Sequence, residues 1–135
     1  MSVTLKRSQT AEWQVGYPGM DDLDMPHVEI LKKAKTALII DGENFGIGLE
    51  KYPASSFDCS YECDEVYYLI SGGPAKITCE GKTVEQNPGD FIYITRGSDI
   101  HFEIANEMYI ITFVYPSLGE IVGRYREKYK KGAKN

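Results

Sequence analysis

The stretch Asp64-Glu65-Val66-Tyr67-Tyr68-Leu69-Ile70-Ser71-Gly72-Gly73 decides the fold. Val66 to Ile70 is an unbroken run of aromatic, β-branched and aliphatic residues, which reads as a strand, and the paired glycines end it. Two acids open it. A carboxylate at the mouth of an apolar strand is costly to bury unless it is paired or used. Working outward, strands are expected over 28–31, 35–40, 45–51, 57–61, 65–71, 75–80, 83–85, 90–95, 99–105 and 108–115. Asp41-Gly42, Gly72-Gly73-Pro74, Glu80-Gly81, Asn87-Pro88-Gly89, Gly97-Ser98 and Ala105-Asn106 punctuate them. Short strands at this spacing, with no long helix between them, describe an all-β sandwich or barrel rather than a βαβ fold.

The chain has 135 residues, enough for one domain with its own core. Its net charge of -5 is unevenly spread. Residues 117–135 carry six Lys/Arg and two Glu, whereas the rest carries nine Lys/Arg and eighteen Asp/Glu. An acidic body argues against nucleic acid, whose binding rests on phosphate neutralisation. No run of apolar residues is long enough to span a membrane, and MSVTLKRSQT lacks the apolar centre of a secretory signal. A cytoplasmic location is therefore expected. The cysteines, Cys59, Cys63 and Cys79, form no CxxC pair and read as reduced thiols rather than as a zinc site.

Two local signals frame the barrel. In ITCEGKTVE, Glu80-Gly81 joins two β-rich runs as a tight hairpin turn. At the C-terminal end, SLGEIVGRYREKYKK places Ser117 and Glu120 at capping-box spacing. Leu118, Ile121, Val122, Tyr125 and Tyr129 fall on one helical stripe, and the basic residues cluster where the helix dipole favours them. The expected organisation is one domain, with an N-terminal extension over 1–27, the barrel over 28–115 and a helix over 117–131.

The segment from Phe57 to Phe102 resembles the cupin family, whose first motif is G-x5-H-x-H-x3,4-E-x6-G and second is G-x5-P-x-G-x2-H-x3-N. Glu65 followed by six residues and Gly72 keeps the end of the first motif, and Gly89 and Gly97 keep the spacing of the second. The histidine positions do not follow the pattern. In the first motif they fall on Asp58 and Ser60, or on Cys59 and Tyr61; in the second, the proline, histidine and asparagine positions hold Thr95, Ile100 and Ile104. That departure, with the acidic DEV start and the closing YIITFVYP, is similar to the ethanolamine-utilisation Q (EutQ-like) cupins. The resemblance implies a jelly-roll β-barrel with a C-terminal helix, a homodimer and an association with microcompartment metabolism. An acetate-kinase activity belongs to the ethanolamine member, but this chain has no P-loop pattern.

Only Glu65 remains of the four usual metal ligands, so a divalent metal would have to use Glu65 with Cys or Tyr, and a metal-free site is expected. Cys59, Tyr61, Cys63, Glu65 and Tyr67 share one strand parity. Glu65, Tyr67 and Tyr61 are the candidate catalytic residues, for proton abstraction in a lyase or isomerase reaction on a small organic molecule. Cys59, Tyr93, Ile100 and Phe102 are the candidate ligand-binding walls. If Ile100 points inward, its neighbour His101 points out. The alternatives are a non-catalytic dimeric module and a metal-dependent enzyme with atypical ligands.

Overall fold

The computed structural model describes residues 1–130 and is mostly β. Ten strands are formed: β1 (Gln14–Val15), β2 (Lys35–Asp41), β3 (Gly46–Tyr52), β4 (Ser55–Ser60), β5 (Asp64–Ser71), β6 (Ala75–Cys79), β7 (Lys82–Gln86), β8 (Phe91–Ile94), β9 (Asp99–Ile104) and β10 (Met108–Tyr115). Two helices join them, α1 (Val28–Lys33) and α2 (Leu118–Lys128). Every strand pairing is antiparallel. One sheet runs β1-β2-β3-β10-β5-β8 and the other β4-β9-β6-β7, and the inner faces of both enclose the core. This is the jelly-roll barrel with a C-terminal helix that the sequence led us to expect.

Turn chemistry sets the register. Glu80 and Gly81 both take positive φ, +50° and +77°, as a two-residue hairpin loop between β6 and β7 requires. Gly72 also has positive φ, and a Cβ there would collide with the Glu107 carbonyl, so the glycine closing the first motif is required by both conformation and space.

The strand expected over 28–31 is instead the short helix α1. Val28 and Leu31 are three residues apart, and Leu31 enters the core while Lys32 and Lys33 sit in the last turn. A four-residue apolar run fits a helix as well as a strand, and here tertiary packing decided. The first 27 residues are also more than an extension. Met20, Leu23 and Met25 join the core, and Val15 pairs with Lys35 in β2.

α2 caps one end of the barrel. Its Ser117 hydroxyl accepts from the Glu120 amide at 3.4 Å, as the capping-box spacing predicts. Ile121 and Tyr125 are buried in the core. Arg124 donates to the Glu62 carbonyl at 2.9 Å, and Lys128 pairs with the Glu62 carboxylate at 2.8 Å. Arg126 donates to the Gly19 carbonyl at 2.9 Å and to Asp22 at 3.0 Å. The helix thus ties the β4–β5 connection to the N-terminal segment. The last residue of the expected helix, 131, lies outside the described residues.

Candidate functional site: an acidic, tyrosine-lined cavity

Strand alternation builds the site. On β5, Glu65, Tyr67 and Leu69 face the interior while Tyr68 and Ile70 face away. On β9, Ile100, Phe102 and Ile104 point inward. His101 points out, as the alternation predicts, and its Nδ1 lies 2.8 Å from Asp58. The chain leaves one sheet after Ser60 and enters the other at Asp64, yet the shared parity survives the crossing. Cys59, Tyr61, Cys63 and Tyr67 are all buried.

Between the sheets lies a cavity of about 40 Å³. Glu65, Tyr67, Tyr61, Cys59 and Phe102 all line it. Ile100 is buried at 5 % exposure but packs in the core and does not reach the cavity. Tyr93 does not face the barrel at all. It is 66 % exposed and Phe91 is 70 % exposed, because β8 turns Ile92 and Ile94 inward. The run Phe91-Ile-Tyr-Ile94 is apolar at every position, so its pattern could not distinguish the two faces.

Among the lining residues that the sequence reading did not place here, Glu50, Tyr17, Tyr52 and His27 bring polar groups into the cavity. Glu50 and Tyr52 come from β3, on the parity of Gly46 and Gly48. The apolar residues Ile47 and Leu49 mark the opposite face. Since Leu49 and Glu50 are each 5 % exposed, β3 is buried on both faces and its hydrophobic pattern points the wrong way. Beyond Glu50 and Tyr17, which it shares with the cavity, a groove of about 310 Å³ runs between β2, β3, β10 and α2.

The polar groups form a connected set. The Tyr61 and Tyr67 hydroxyls are 2.7 Å apart, Tyr67 hydrogen-bonds Glu65, and the Cys63 thiol donates to Glu65 Oε1 at 3.3 Å. The Tyr52 and Tyr17 hydroxyls stabilise the ionised form of Glu50, which lowers its pKa against the effect of burial. Burial raises the Glu65 carboxyl above the ordinary carboxylate range, against the pull of the Tyr67 and Cys63 hydrogen bonds. Glu50 is pushed up to about 8, first by burial and then by the charge of Glu65. Burial also pushes the Cys59 and Cys63 thiols up, with Glu65 adding to it, so neither is a ready thiolate nucleophile. His27 is lowered to about 4 by burial and is neutral at physiological pH. Its ring stacks on Phe57, its Nε2 lies 3.6 Å from Cys59 Sγ, and its Nδ1 is buried without a partner. Two carboxyls whose protonated forms are favoured by burial, each beside tyrosine hydroxyls, form a set that can give or take protons.

Two antiparallel sheets closed by a C-terminal helix around an inward-facing site define a cupin. Within that class the chain belongs to the EutQ family: the family model described as "Ethanolamine utilisation protein EutQ" matches residues 7–119. A curated relative from Clostridioides difficile (strain 630), described as "Acetate kinase EutQ", is 29 % identical over 77 residues, covering 57 % of this chain and 48 % of the relative. This chain therefore spans about half the length of that relative. The solved structure of the Clostridium difficile EutQ protein superposes with a TM-score of 0.58 at 26 % identity, over 64 % of each chain. An RmlC-like cupin from Shewanella frigidimarina shares the fold, with a TM-score of 0.65 at 11 % identity over 88 % of this chain and 96 % of that one.

Cupins commonly hold a divalent metal, and the donors here do not fit one. Asp58 points outward to His101, and the second-motif histidine position is the hydrocarbon Ile100. Among the described residues no three His, Cys, Asp or Glu are grouped to hold an ion, whereas a firm site needs about three such donors.

Proposed function

We propose that this EutQ-family cupin binds a small organic molecule inside the barrel and moves protons on it without a metal. Glu65 is the acid/base group, the Tyr67–Tyr61 pair is its hydrogen-bonded relay, and Glu50 is a second carboxyl on the same cavity. The observation carrying this reading is that two carboxyls share one cavity while burial raises both. Elimination and isomerisation of a small polar substrate are the reaction classes such a pair supports. Cys59 and Phe102 supply apolar wall.

The test is a thermal-shift and ligand-observed NMR screen of small polar molecules against the wild-type chain, Glu65→Gln and Tyr67→Phe. The reading predicts a hit that binds both wild type and Tyr67→Phe, with turnover lost in Glu65→Gln while its melting temperature changes little. A Glu65→Gln protein that unfolds, or that turns the hit over as wild type does, contradicts it.

The acetate kinase name of the curated relative suggests a second activity. Acetate and a nucleotide phosphate are anions, and no Lys or Arg lines the cavity among the described residues; the metal-free acid/base reading is preferred for that reason. A homodimer is also proposed, formed when two copies bury the outer face of the larger sheet. Phe91, Tyr93, Phe113 and Tyr115 are exposed there at 40–70 %, an apolar surface larger than scattered single residues. Sedimentation of wild type against a Phe91→Ser/Tyr93→Ser variant decides it: a dimer that the variant dissociates supports this face, and an unchanged dimer removes it.

A further inference from the structure

We infer that the barrel cavity is built for a small organic cation, an alkylammonium of about three or four heavy atoms, the room that this volume offers when one water needs about 10–15 Å³. The inference rests on the small-molecule reading above and names the ligand's chemistry.

Charge is the first argument. Glu50 and Glu65 both line the cavity, and neither a lysine nor an arginine does so among the described residues. Two basic side chains of the helix that closes the barrel are engaged elsewhere. Arg124 donates to the Glu62 carbonyl and to Glu120, and Lys128 is paired with Glu62. Burial favours the protonated form of both carboxyls, and ionising either one inside the cavity is costly unless a cation comes with it. A positively charged ligand supplies the missing partner.

The walls are the second argument. Tyr17, Tyr52, Phe57, Tyr61, Tyr67 and Phe102 surround the same space. Aromatic faces attract a cation through their negative quadrupole, most strongly where water is excluded.

His27 is the third and independent argument. The residue is 7 % exposed and lines the cavity, and its Nδ1 is the one buried side-chain N or O among the described residues left without a hydrogen-bond partner. In the tautomer whose Nε2 proton is directed at Cys59 Sγ, Nδ1 is an acceptor. An orphaned acceptor of this kind calls for an N–H or O–H donor. A primary ammonium carries three donors and no acceptor, matching two carboxyls and an imidazole nitrogen. A carboxylate or phosphate ligand would instead meet two acids and find no cation.

The experiment titrates ethylammonium and propylammonium chlorides into the full chain, following methyl and amide NMR shifts. Ethanol, acetamide, sodium acetate and sodium chloride serve as probes of matched size or ionic strength. The inference predicts saturable shifts at cavity residues for the ammonium ions, with affinity about tenfold or more above the neutral probes, as charge-assisted hydrogen bonds imply. Glu50→Gln/Glu65→Gln should lose that margin while keeping any affinity for acetamide. Because the probes are compared on the unaltered chain, the result stands even if the double variant fails to fold. Neutral probes or acetate binding as well as ammonium would overturn the cation inference and leave the small-molecule site standing. Sodium chloride reproducing the shifts would overturn it as a salt effect. No cavity shift with any probe would overturn both readings, leaving a cavity filled by solvent only.

Discussion

Replacing Glu50 by Gln should stabilise this protein, and more so as the pH rises. The folded chain holds the Glu50 proton up to about pH 8, against an ordinary value of 4.5. The unfolded chain releases it near its ordinary value. Stability linked to this group is therefore whole below about pH 4.5 and is lost progressively as pH rises through 8. Each tenfold mismatch in proton affinity is worth about 1.4 kcal/mol, so the total loss above pH 8 is about 5 kcal/mol. Gln has the shape of the protonated acid and no proton to lose. It should match wild type to within about 1 kcal/mol at pH 5 and exceed it by about 4 kcal/mol at pH 8.5. Part of that gain passes through Glu65, which is relieved of its neighbour's charge. Urea denaturation of both proteins at the two pH values, with equal slopes, measures the difference. Parallel pH–stability profiles for wild type and Glu50→Gln would refute the reasoning, since Glu50 would then titrate as an ordinary carboxylate despite its burial.

Three further outcomes are expected. Phe102→Ala, at a residue 2 % exposed and packed against Phe57, Tyr61 and Tyr67, should cost about 3–5 kcal/mol in denaturant titrations; a loss below about 1 kcal/mol would mean that the inner wall is not packed as described. Ser117→Ala should cost about 1 kcal/mol by removing the α2 cap, measured in the same way. Elemental analysis of untagged protein should find no stoichiometric metal, and stoichiometric metal that disappears in Glu65→Gln would restore Glu65 as a ligand.

The barrel was legible because its strands alternate and its turns carry Gly at most of the positions where φ is positive. The strands from β2 to β10 all fall close to their expected ranges for that reason. The motif resemblance singled out Glu65, and strand parity grouped Tyr67, Tyr61 and Cys59 with it and put Phe102 on the inward face; all five line the cavity. Parity failed where both faces of a strand are apolar or both are buried. That condition hid Glu50 behind Ile47 and Leu49, and it put Tyr93 on the wrong face of β8. His27 was invisible for a different reason. It lies in a connecting segment, and its ring is held inside by contacts with residues distant in sequence, Phe57 and Cys59. The one available signal was compositional: a DDLDMPHVEIL segment is rich in apolar residues for a loop.

The central claim is that two buried carboxyls hold their protons in a shared cavity, and it can be read directly. The side-chain carboxyl carbons of the glutamates are labelled with ¹³C and titrated by NMR, with Glu50→Gln and Glu65→Gln providing the assignments. The account predicts that Glu50 titrates with a midpoint near 8 and that Glu65 titrates above the ordinary glutamate range. Both carboxyls titrating between about 4 and 5, as solvated glutamates do, would contradict it.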